Sequence, residues 1–146
     1  MEYRIMTEAD IHRVIPLYLN YYNEKEDGAW TAETAYKRIH QVWSHEDGFC
    51  LILEQEGVPL GFAMGHMEQY DDLSAYDLVE IVIAADWQGR GLGTAFMQEL
   101  ERQVKACGAS MIQLQAVNDE KHRQFYDKLG YYDAKNLVPK AKFLEG

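Results

Sequence analysis

Three glycines alternate with other residues in the stretch from Gln88 to Thr94, which reads Gln-Gly-Arg-Gly-Leu-Gly-Thr. An apolar run precedes this stretch, and a segment with apolar residues at four-residue intervals follows it. Because glycine has no side chain, backbone amides here can approach a ligand closely. A helix that begins here also has unpaired N–H groups and a partial positive charge in its first turn. The stretch is therefore predicted to hold phosphate.

Two familiar phosphate-binding loops fit this stretch poorly. A dinucleotide-binding loop needs its third glycine at position 94, which is threonine, and a much longer repeating α/β chain around it. A P-loop needs Gly-Lys followed by serine or threonine, and that triplet does not occur in the sequence. The loop is predicted to belong to a third class.

A single acidic residue, Glu80, interrupts the apolar run that leads into the loop. Burial of a charged carboxylate is costly unless the group has a partner or a chemical task. Burial also raises the pKa of a carboxyl group towards the range in which it accepts protons near neutral pH. Glu80 is therefore a candidate proton acceptor.

Hydrophobic periodicity and capping signals predict the elements that position these residues. Helices are predicted to start near Thr7, Thr31, Gly91 and Asn118 or Asp119. The predicted strands cover residues 1–6, Phe49–Glu54, Leu60–Met67, Tyr76–Ala84, Met111–Val117, Tyr131–Ala134 and Val138–Phe143. No repeat or linker divides the chain, which has the usual length of one domain.

Two motifs carry a resemblance to a known family. The stretch from Gln88 to Gly93 resembles the Gln/Arg-x-x-Gly-x-Gly/Ala pyrophosphate loop of the GCN5-related N-acetyltransferases, abbreviated GNAT. Downstream, Phe125 to Tyr131 reads Phe-Tyr-Asp-Lys-Leu-Gly-Tyr and resembles that family's Phe-Tyr-x-Lys-x-Gly-Phe segment. The order of predicted elements extends the resemblance over nearly the whole chain, with residues 20–45 as the exception.

The resemblance implies a fold and a co-substrate. The fold is the mixed α+β fold of the acyl-CoA N-acyltransferases, with one domain over residues 1–146. Its central sheet is mostly antiparallel, with about 6–7 strands, a splayed pair at the coenzyme site and about four flanking helices. The co-substrate is acetyl-CoA, and no metal is implied. The residues expected to bind the coenzyme are Val82, Ile83, Gln88, Gly89, Arg90, Gly91, Gly93, Thr94, Asn118 and Tyr126.

The resemblance also assigns catalytic roles. Tyr126 matches the family's general acid, because a phenol with a pKa near 10 can protonate a departing thiolate. The alternative is that Tyr126 is a packed aromatic residue beside Phe125 and Tyr131. Glu80 lies where the family often carries an acidic residue and is the leading candidate for the general base. Asp77 is its rival, and proton removal through water without a dedicated base is a third alternative.

The predicted reaction is transfer of an acetyl group to a primary amine of a small cationic molecule by direct transfer in a ternary complex. Two alternatives stay open: acetylation of a protein N-terminus or lysine, and a non-catalytic sensor that binds acyl-CoA. Aromatic residues could line the acceptor pocket or belong to the core, namely Tyr21, Tyr22, Trp30 and Trp43. His66 is interpreted as a structural partner near that pocket.

Charge and composition exclude several function classes. A net charge of -10 and a pI near 4.9 argue against nucleic-acid or anionic-membrane partners. The first ten residues lack the apolar segment of a secretory signal, so a cytoplasmic location is expected. The spacing of the histidines and of Cys50 and Cys107 indicates no metal site. Val138–Phe143 is predicted to pair two copies as a homodimer.

Overall fold

The computed structural model describes residues 1–145, which form a five-stranded sheet and four α-helices. The elements in chain order are β1 (Glu2–Ile5), α1 (Asp10–Leu19), α2 (Ala32–Trp43), β2 (Gly48–Gln55), β3 (Val58–Gln69), β4 (Ser74–Ile83), α3 (Leu92–Ala106), β5 (Met111–Leu114) and α4 (Glu120–Lys128). A π-helical segment, Asn20–Lys25, continues α1, and a 3₁₀ turn, Ala85–Trp87, follows β4. Among these residues no helix is both long and apolar enough to cross a membrane.

Contacts divide the chain into two compact units. The first, Met1–Gln115, contains the whole sheet and α1 to α3. The second begins at Ala116 and contains α4. The assignment of one domain to residues 1–146 therefore stays a prediction.

The sheet has the strand order β1-β2-β3-β4-β5. The first four strands pair antiparallel, and β5 runs parallel to β4, so the sheet is mostly antiparallel as predicted. The β2–β3 hairpin turns at Glu56 and Gly57, whose φ angles of 51° and 77° are typical of the turns that match strand twist.

The predicted splay lies between β4 and β5. These strands pair only over Ala75–Leu78 of β4, yet β4 continues to Ile83. A β-bulge precedes the opening, because Met64 of β3 pairs with Glu80 whereas Gly65 pairs with Leu78. The last part of β4 therefore has a strand partner on the β3 side only.

Helices pack on both faces of the sheet. The α1 and α2 face forms one core in which Tyr18 and Ile39 meet alternate strand residues such as Ile52 and Phe62, all fully buried. On the other face α3 contacts β2 and β4, and its Phe96 meets the Tyr3 ring edge to face at 5.4 Å. The central parts of β2 and β3 are therefore buried at consecutive residues, as expected of strands covered on both sides.

A buried ion-pair network joins β1, α1 and β2. The Asp10 carboxylate is 3 % exposed and accepts hydrogen bonds from Arg4 at 2.9 Å, from Arg13 at 2.8 Å and from the Thr7 backbone N–H at 2.7 Å. Both arginines also pair with Glu54 of β2. These guanidinium groups hold the pKa of Asp10 far below its usual range.

The helix capping predictions have different outcomes. Thr31 caps α2 in a complete capping box with Thr34, as predicted for its position. Before α1 the capping box is incomplete. The Thr7 backbone N–H donates a hydrogen bond to the Asp10 carboxylate, and the Thr7 hydroxyl donates to the same carboxylate at 3.1 Å. Because Arg4 and Arg13 also bind this carboxylate, Asp10 is the centre of the ion-pair network as well as a capping residue.

The two terminal strands predicted over Tyr131–Ala134 and Val138–Phe143 are wrong. Neither range forms a strand, and the side chains of Val138 and Phe143 are 70 % and 98 % exposed. Extended segments need a hydrogen-bonded neighbour, and no strand of the described residues pairs with them. The sheet therefore has five strands where about 6–7 were expected, and β5 ends at Leu114 where Val117 was expected.

Replacement of Asp10 by asparagine is expected to lower the free energy of unfolding at pH 7 by about 1.5–3 kcal/mol, because two partly exposed guanidinium groups lose one of the two carboxylates that they share. The matched control is Glu8→Gln, two residues earlier, whose exposed carboxylate lies 3.8 Å from His40. That change is expected to cost less than about 1 kcal/mol. Urea unfolding measures both values, and equal stability of the two variants would contradict the role of the network.

The pH dependence follows from the lowered pKa of Asp10 in the folded protein. A carboxyl group of this kind stabilises the fold fully above its unfolded pKa, near 3.8. The contribution is lost as the pH falls towards the lower folded pKa. The stability difference between wild type and Asp10→Asn is therefore expected to be constant from pH 7 to about 5 and to shrink below about pH 4.

Candidate functional site

The glycine loop is held against the end of β4. After Ile83 the chain makes its 3₁₀ turn, and the Gln88 side-chain amide donates a hydrogen bond to the Ile83 carbonyl at 3.0 Å. The Arg90 guanidinium lies 4.4 Å from the centre of the Trp87 ring. Gln88 thus fixes the loop to the strand, and the exposed Arg90 places a positive charge beside it.

Two loop glycines adopt a backbone conformation that other residues disfavour. Gly89 and Gly91 have φ angles of 74° and 80°. A Cβ atom built at either position would meet no heavy atom within 4 Å. The loop therefore leaves open space directly in front of its backbone.

The start of α3 presents unpaired amides to this space. The first bond of the helix runs from the Ala95 N–H to the Gly91 carbonyl at 3.1 Å. The N–H groups of Leu92, Gly93 and Thr94 precede it and have no acceptor within the helix. No acidic residue lies in the first turn and no side chain caps it. With Arg90, these amides form an electropositive site suited to an anion.

The end of β4 supplies a second set of backbone groups. Val82 and Ile83 pair with Phe62 and Gly61 of β3. On the β5 side the strand has no partner beyond Leu78. Backbone groups that point to this side can bind an extended ligand as another strand would.

The Glu80 carboxylate lies on the α1 side of the sheet. Its Oε1 accepts a hydrogen bond from the Tyr18 hydroxyl at 3.3 Å, and its Oε2 is buried without a hydrogen-bond partner among the described residues. Burial raises the pKa of Glu80, and the Tyr18 bond, the charge of Arg38 and the nearby Tyr22 hydroxyl oppose that rise. Glu80 is therefore half-buried, and the role predicted for it as a proton acceptor stays a prediction.

Two tyrosine hydroxyls lie near this carboxylate, and their rings belong to an aromatic cluster. Tyr18 contacts the Tyr22 ring at 4.6 Å between centroids and the Trp30 ring edge to face at 5.1 Å. Burial, followed by the negative charge of Glu80, raises the pKa of both tyrosines, so both keep their protons at neutral pH. A buried anion among aromatic rings is a favourable place for a cation. We call Glu80, Tyr18, Tyr22 and Trp30 the carboxylate pocket.

The sequence predicted only part of this pocket. Tyr22 and Trp30 were candidates for the acceptor site, and both pack against the Tyr18 ring. Tyr18 is fully buried, yet its hydroxyl reaches Glu80. The available sequence signal was a tyrosine in the apolar stripe of α1, whose other members are aliphatic. Trp43 has another role, because its indole N–H donates to the Met6 carbonyl at 3.2 Å.

Asp77, the rival candidate for the base, has a different environment. Asp77 of β4 pairs with His66 of β3, and its Oδ2 lies 3.6 Å from Nε2 of His66. Burial is the main cause that raises its pKa, and the neighbouring histidine opposes the rise. Asp77 therefore has a basic partner, whereas Glu80 has hydroxyl groups.

The second unit carries the other predicted site residues. Asp119 caps α4 by accepting a hydrogen bond from the His122 backbone N–H at 2.8 Å. The Asn118 side-chain oxygen accepts a hydrogen bond from Arg123 at 2.6 Å. The Tyr126 ring contacts Phe125 at 4.9 Å, and its backbone carbonyl accepts the Tyr131 N–H. The roles of Asn118 and Tyr126 towards a coenzyme stay predictions.

Comparison with known proteins gives matches over most of the chain. The sequence model of the acetyltransferase (GNAT) family matches residues 12–131. The uncharacterized N-acetyltransferase MJ1207 of Methanocaldococcus jannaschii is 26 % identical over 88 % of this chain. The chain spans 59 % of the length of that relative.

Solved structures of low sequence identity share the fold. A possible acetyltransferase from Clostridium difficile 630 superimposes with a TM-score of 0.84 at 11 % identity, covering 99 % of this chain and 98 % of the other. Ribosomal-protein-alanine N-acetyltransferase from Brucella melitensis gives 0.77 at 18 % identity, with coverage of 98 % and 100 %. Glucosamine-6-phosphate N-acetyltransferase from Arabidopsis thaliana gives 0.70 at 18 % identity, with coverage of 99 % and 98 %.

The family match includes both motifs on which the resemblance rests, the glycine loop and the segment around Tyr126. The mixed sheet, the splay beyond Leu78 and the flanking helices agree with the expected architecture. The chain belongs to the acetyltransferase (GNAT) family.

Proposed function

We propose that this protein transfers the acetyl group of acetyl-CoA to a primary amine of a small, cationic acceptor. The observation that carries the proposal is the half-buried Glu80 carboxylate, which accepts a hydrogen bond from Tyr18 and has one buried oxygen without a partner among the described residues. It lies on the strand that leads directly into the glycine loop. The proton acceptor and the proposed phosphate site are therefore on one continuous segment of chain.

Coenzyme binding uses the loop and the open side of β4. The pyrophosphate lies over Gly89 and Gly91, where the open space and the first amides of α3 favour an anion. Gln88 orients the loop, and Arg90 adds a positive charge. The pantetheine arm extends along β4 beside Val82 and Ile83 on the side that lacks a strand partner. Asn118 contributes by resemblance to the family.

The transfer step needs three groups in place. An ammonium group first loses a proton to Glu80, whose raised pKa makes it a stronger base than an exposed carboxylate. The amine nitrogen then attacks the thioester carbonyl, and backbone amides of β4 stabilise the negative charge on its oxygen. The carbon–sulfur bond breaks, the nitrogen releases its extra proton to water, and the thiolate takes a proton. By its motif, Tyr126 supplies that proton.

The carboxylate pocket supports a cationic acceptor. Ring faces attract an ammonium group, and the ionised Glu80 adds a direct charge interaction. A net charge of -10 favours the approach of cations to the whole protein. The names of two fold neighbours mention a ribosomal protein and a sugar phosphate as acceptors, so the fold alone supports neither class. The intact glycine loop and Tyr126 favour an enzyme over a non-catalytic sensor.

Two associated predictions stay open. The homodimer rests on Val138–Phe143, which forms no strand in the chain alone and exposes its apolar ends. A cytoplasmic location rests on composition. Neither is needed for the proposed reaction.

A matched pair of glycine substitutions tests the coenzyme site. Gly91→Ala and Gly57→Ala both place a side chain at a left-handed residue with open space around it, at φ angles of 80° and 77°. Each is expected to lower the unfolding free energy by about 1–2 kcal/mol. Only Gly91→Ala is expected to weaken acetyl-CoA binding, by more than about tenfold, or about 1.4 kcal/mol. Calorimetric titration measures the affinity.

Equal affinity of the two variants would show that the glycine loop does not hold the coenzyme. Absence of acetyl-CoA binding by the folded wild-type chain would overturn the proposed function as a whole.

The pH profile of kcat/KM tests the base. Glu80 accepts a proton only when ionised, so the rate is expected to fall as the pH drops through its raised pKa. In Glu80→Gln this acidic limb is expected to disappear, and kcat/KM at neutral pH is expected to fall by about 10²–10⁴-fold. Glutamine keeps the shape of the side chain and an oxygen for the Tyr18 hydroxyl. The assay uses free polyamines and amino acids, with peptides as competing acceptors.

Asp77→Asn is the matched control, because it removes the other half-buried carboxylate of β4. Loss of the acidic limb in Asp77→Asn, with retention in Glu80→Gln, would move the role of base to Asp77. Retention in both would assign proton removal to water. Faster reaction with peptides than with free amines would contradict the small-molecule acceptor.

A further inference from the structure

Three potential metal ligands meet outside the carboxylate pocket. His66 and Glu68 are alternate residues of β3, and His45 lies in the turn before β2. One donor atom from each lies within 4.8 Å of the others. The β2–β3 register explains the meeting, because Gly48 pairs with His66 and so brings the end of the turn beside it. We call these three residues the histidine cluster.

One hydrogen bond fixes the donor nitrogen of His45, and two carboxylates face the ring of His66. Nδ1 of His45 lies 2.6 Å from the Glu46 carbonyl, which can only accept, so this nitrogen carries the proton and Nε2 has the lone pair. Nε2 of His66 lies 3.6 Å from the Asp77 carboxylate, on the opposite side of the ring from Glu68.

One buried nitrogen of the cluster lacks a hydrogen bond. Nδ1 of His66 lies 3.3 Å from Oε1 of Glu68 but has no hydrogen-bond partner among the described residues, and His66 is only 9 % exposed. The nitrogen and the carboxylate oxygen need a proton or a metal ion between them. The lone pair of His45 is a third acceptor, which a metal ion uses and a single shared proton does not.

We propose that the histidine cluster binds a divalent transition metal ion of the Zn²⁺ class through His45, His66 and Glu68. Two imidazoles and one carboxylate are ligands that Zn²⁺ accepts, with one coordination position left for water. Asp77 completes the arrangement as the partner that orients His66, in the way carboxylates orient metal-binding histidines. The site lies on the same face of β3 as Met64, which pairs with Glu80.

Binding requires one local adjustment. The His45 and His66 rings are stacked at 3.8 Å with an interplanar angle of 11°, and parallel rings do not direct their lone pairs at one point. His45 is exposed on a turn, whereas His66 is held in a strand. His45 can therefore tilt out of the stack without disturbing the core. No sequence signal marks the site, because the ligands come from a turn and a strand and their spacing matches no metal motif.

Metal titration of the full-length, untagged chain tests the proposal without an acetylation assay. After treatment with a chelator, one equivalent of Zn²⁺ is expected to bind, as measured by calorimetry and by competition with a chromophoric chelator. Co²⁺ is expected to give visible absorption bands of a site with four or five ligands. His45→Ala and Glu68→Gln are each expected to weaken Zn²⁺ binding by more than about tenfold. Asp77→Asn is expected to weaken it by about 10–100-fold.

The matched control is His122→Ala. His122 also lies beside a carboxylate, with Nδ1 2.7 Å from Asp119, but it is on α4 and outside the cluster. Its removal is expected to leave Zn²⁺ affinity unchanged. Because His45 is exposed, the His45→Ala variant is expected to fold, and circular dichroism checks this.

Two results would overturn the proposal. One is wild-type binding no tighter than that of the His45→Ala and Glu68→Gln variants. The other is an NMR spectrum in which His66 carries a proton on Nδ1 at neutral pH and does not change with one equivalent of Zn²⁺. Either result is independent of whether the chain transfers acetyl groups.

Discussion

Strand β4 continues to Ile83, but its pairing with β5 stops at Leu78. The part of the candidate site that lies in the first unit depends on the residues of β4 beyond Leu78, whose β5 side is unpaired. Within a sheet, both edges of a central strand are occupied by neighbours, and no backbone group is left for a ligand. Here the parallel partner ends early, and one edge of β4 becomes available. The bulge between Met64 and Gly65 alters the β3–β4 register just before the opening. The glycine loop begins where this strand ends.

An open strand edge invites unwanted pairing unless the surrounding structure is rigid. At the β1 side of the sheet, the Asp10 network provides rigidity by joining β1, α1 and β2 through two arginines and Glu54. At the end of β4, Gln88 donates a hydrogen bond to the Ile83 carbonyl, so the glycine loop is held against the strand. The ion pairs thus hold β1, α1 and β2 together, and the Gln88 hydrogen bond holds the loop, while the β5 side of β4 stays open beyond Leu78.

Most of the first unit could be predicted from the sequence because its signals are local. Alternating apolar residues, the Glu56-Gly57 turn and the stripe of α3 each occupy one segment. The predictions over Tyr131–Ala134 and Val138–Phe143 failed because a strand needs a partner, and partners cannot be read from alternation. Glu80 was found because a lone charge in an apolar run is conspicuous. Tyr18 and the histidine cluster were missed because their roles arise from contacts between distant segments.

Helix α1 joins two regions with different tolerance for change. Its first residue, Asp10, is committed to the ion-pair network, whereas Tyr18, about 12 Å further along the axis, belongs to the carboxylate pocket. The π-helical segment that follows carries Tyr21 and Tyr22 on a wider turn. Substitutions at this end can reshape the pocket while the anchored end preserves the fold. Under the proposed function, this arrangement lets acceptor specificity change through one end of α1 without a loss of sheet stability.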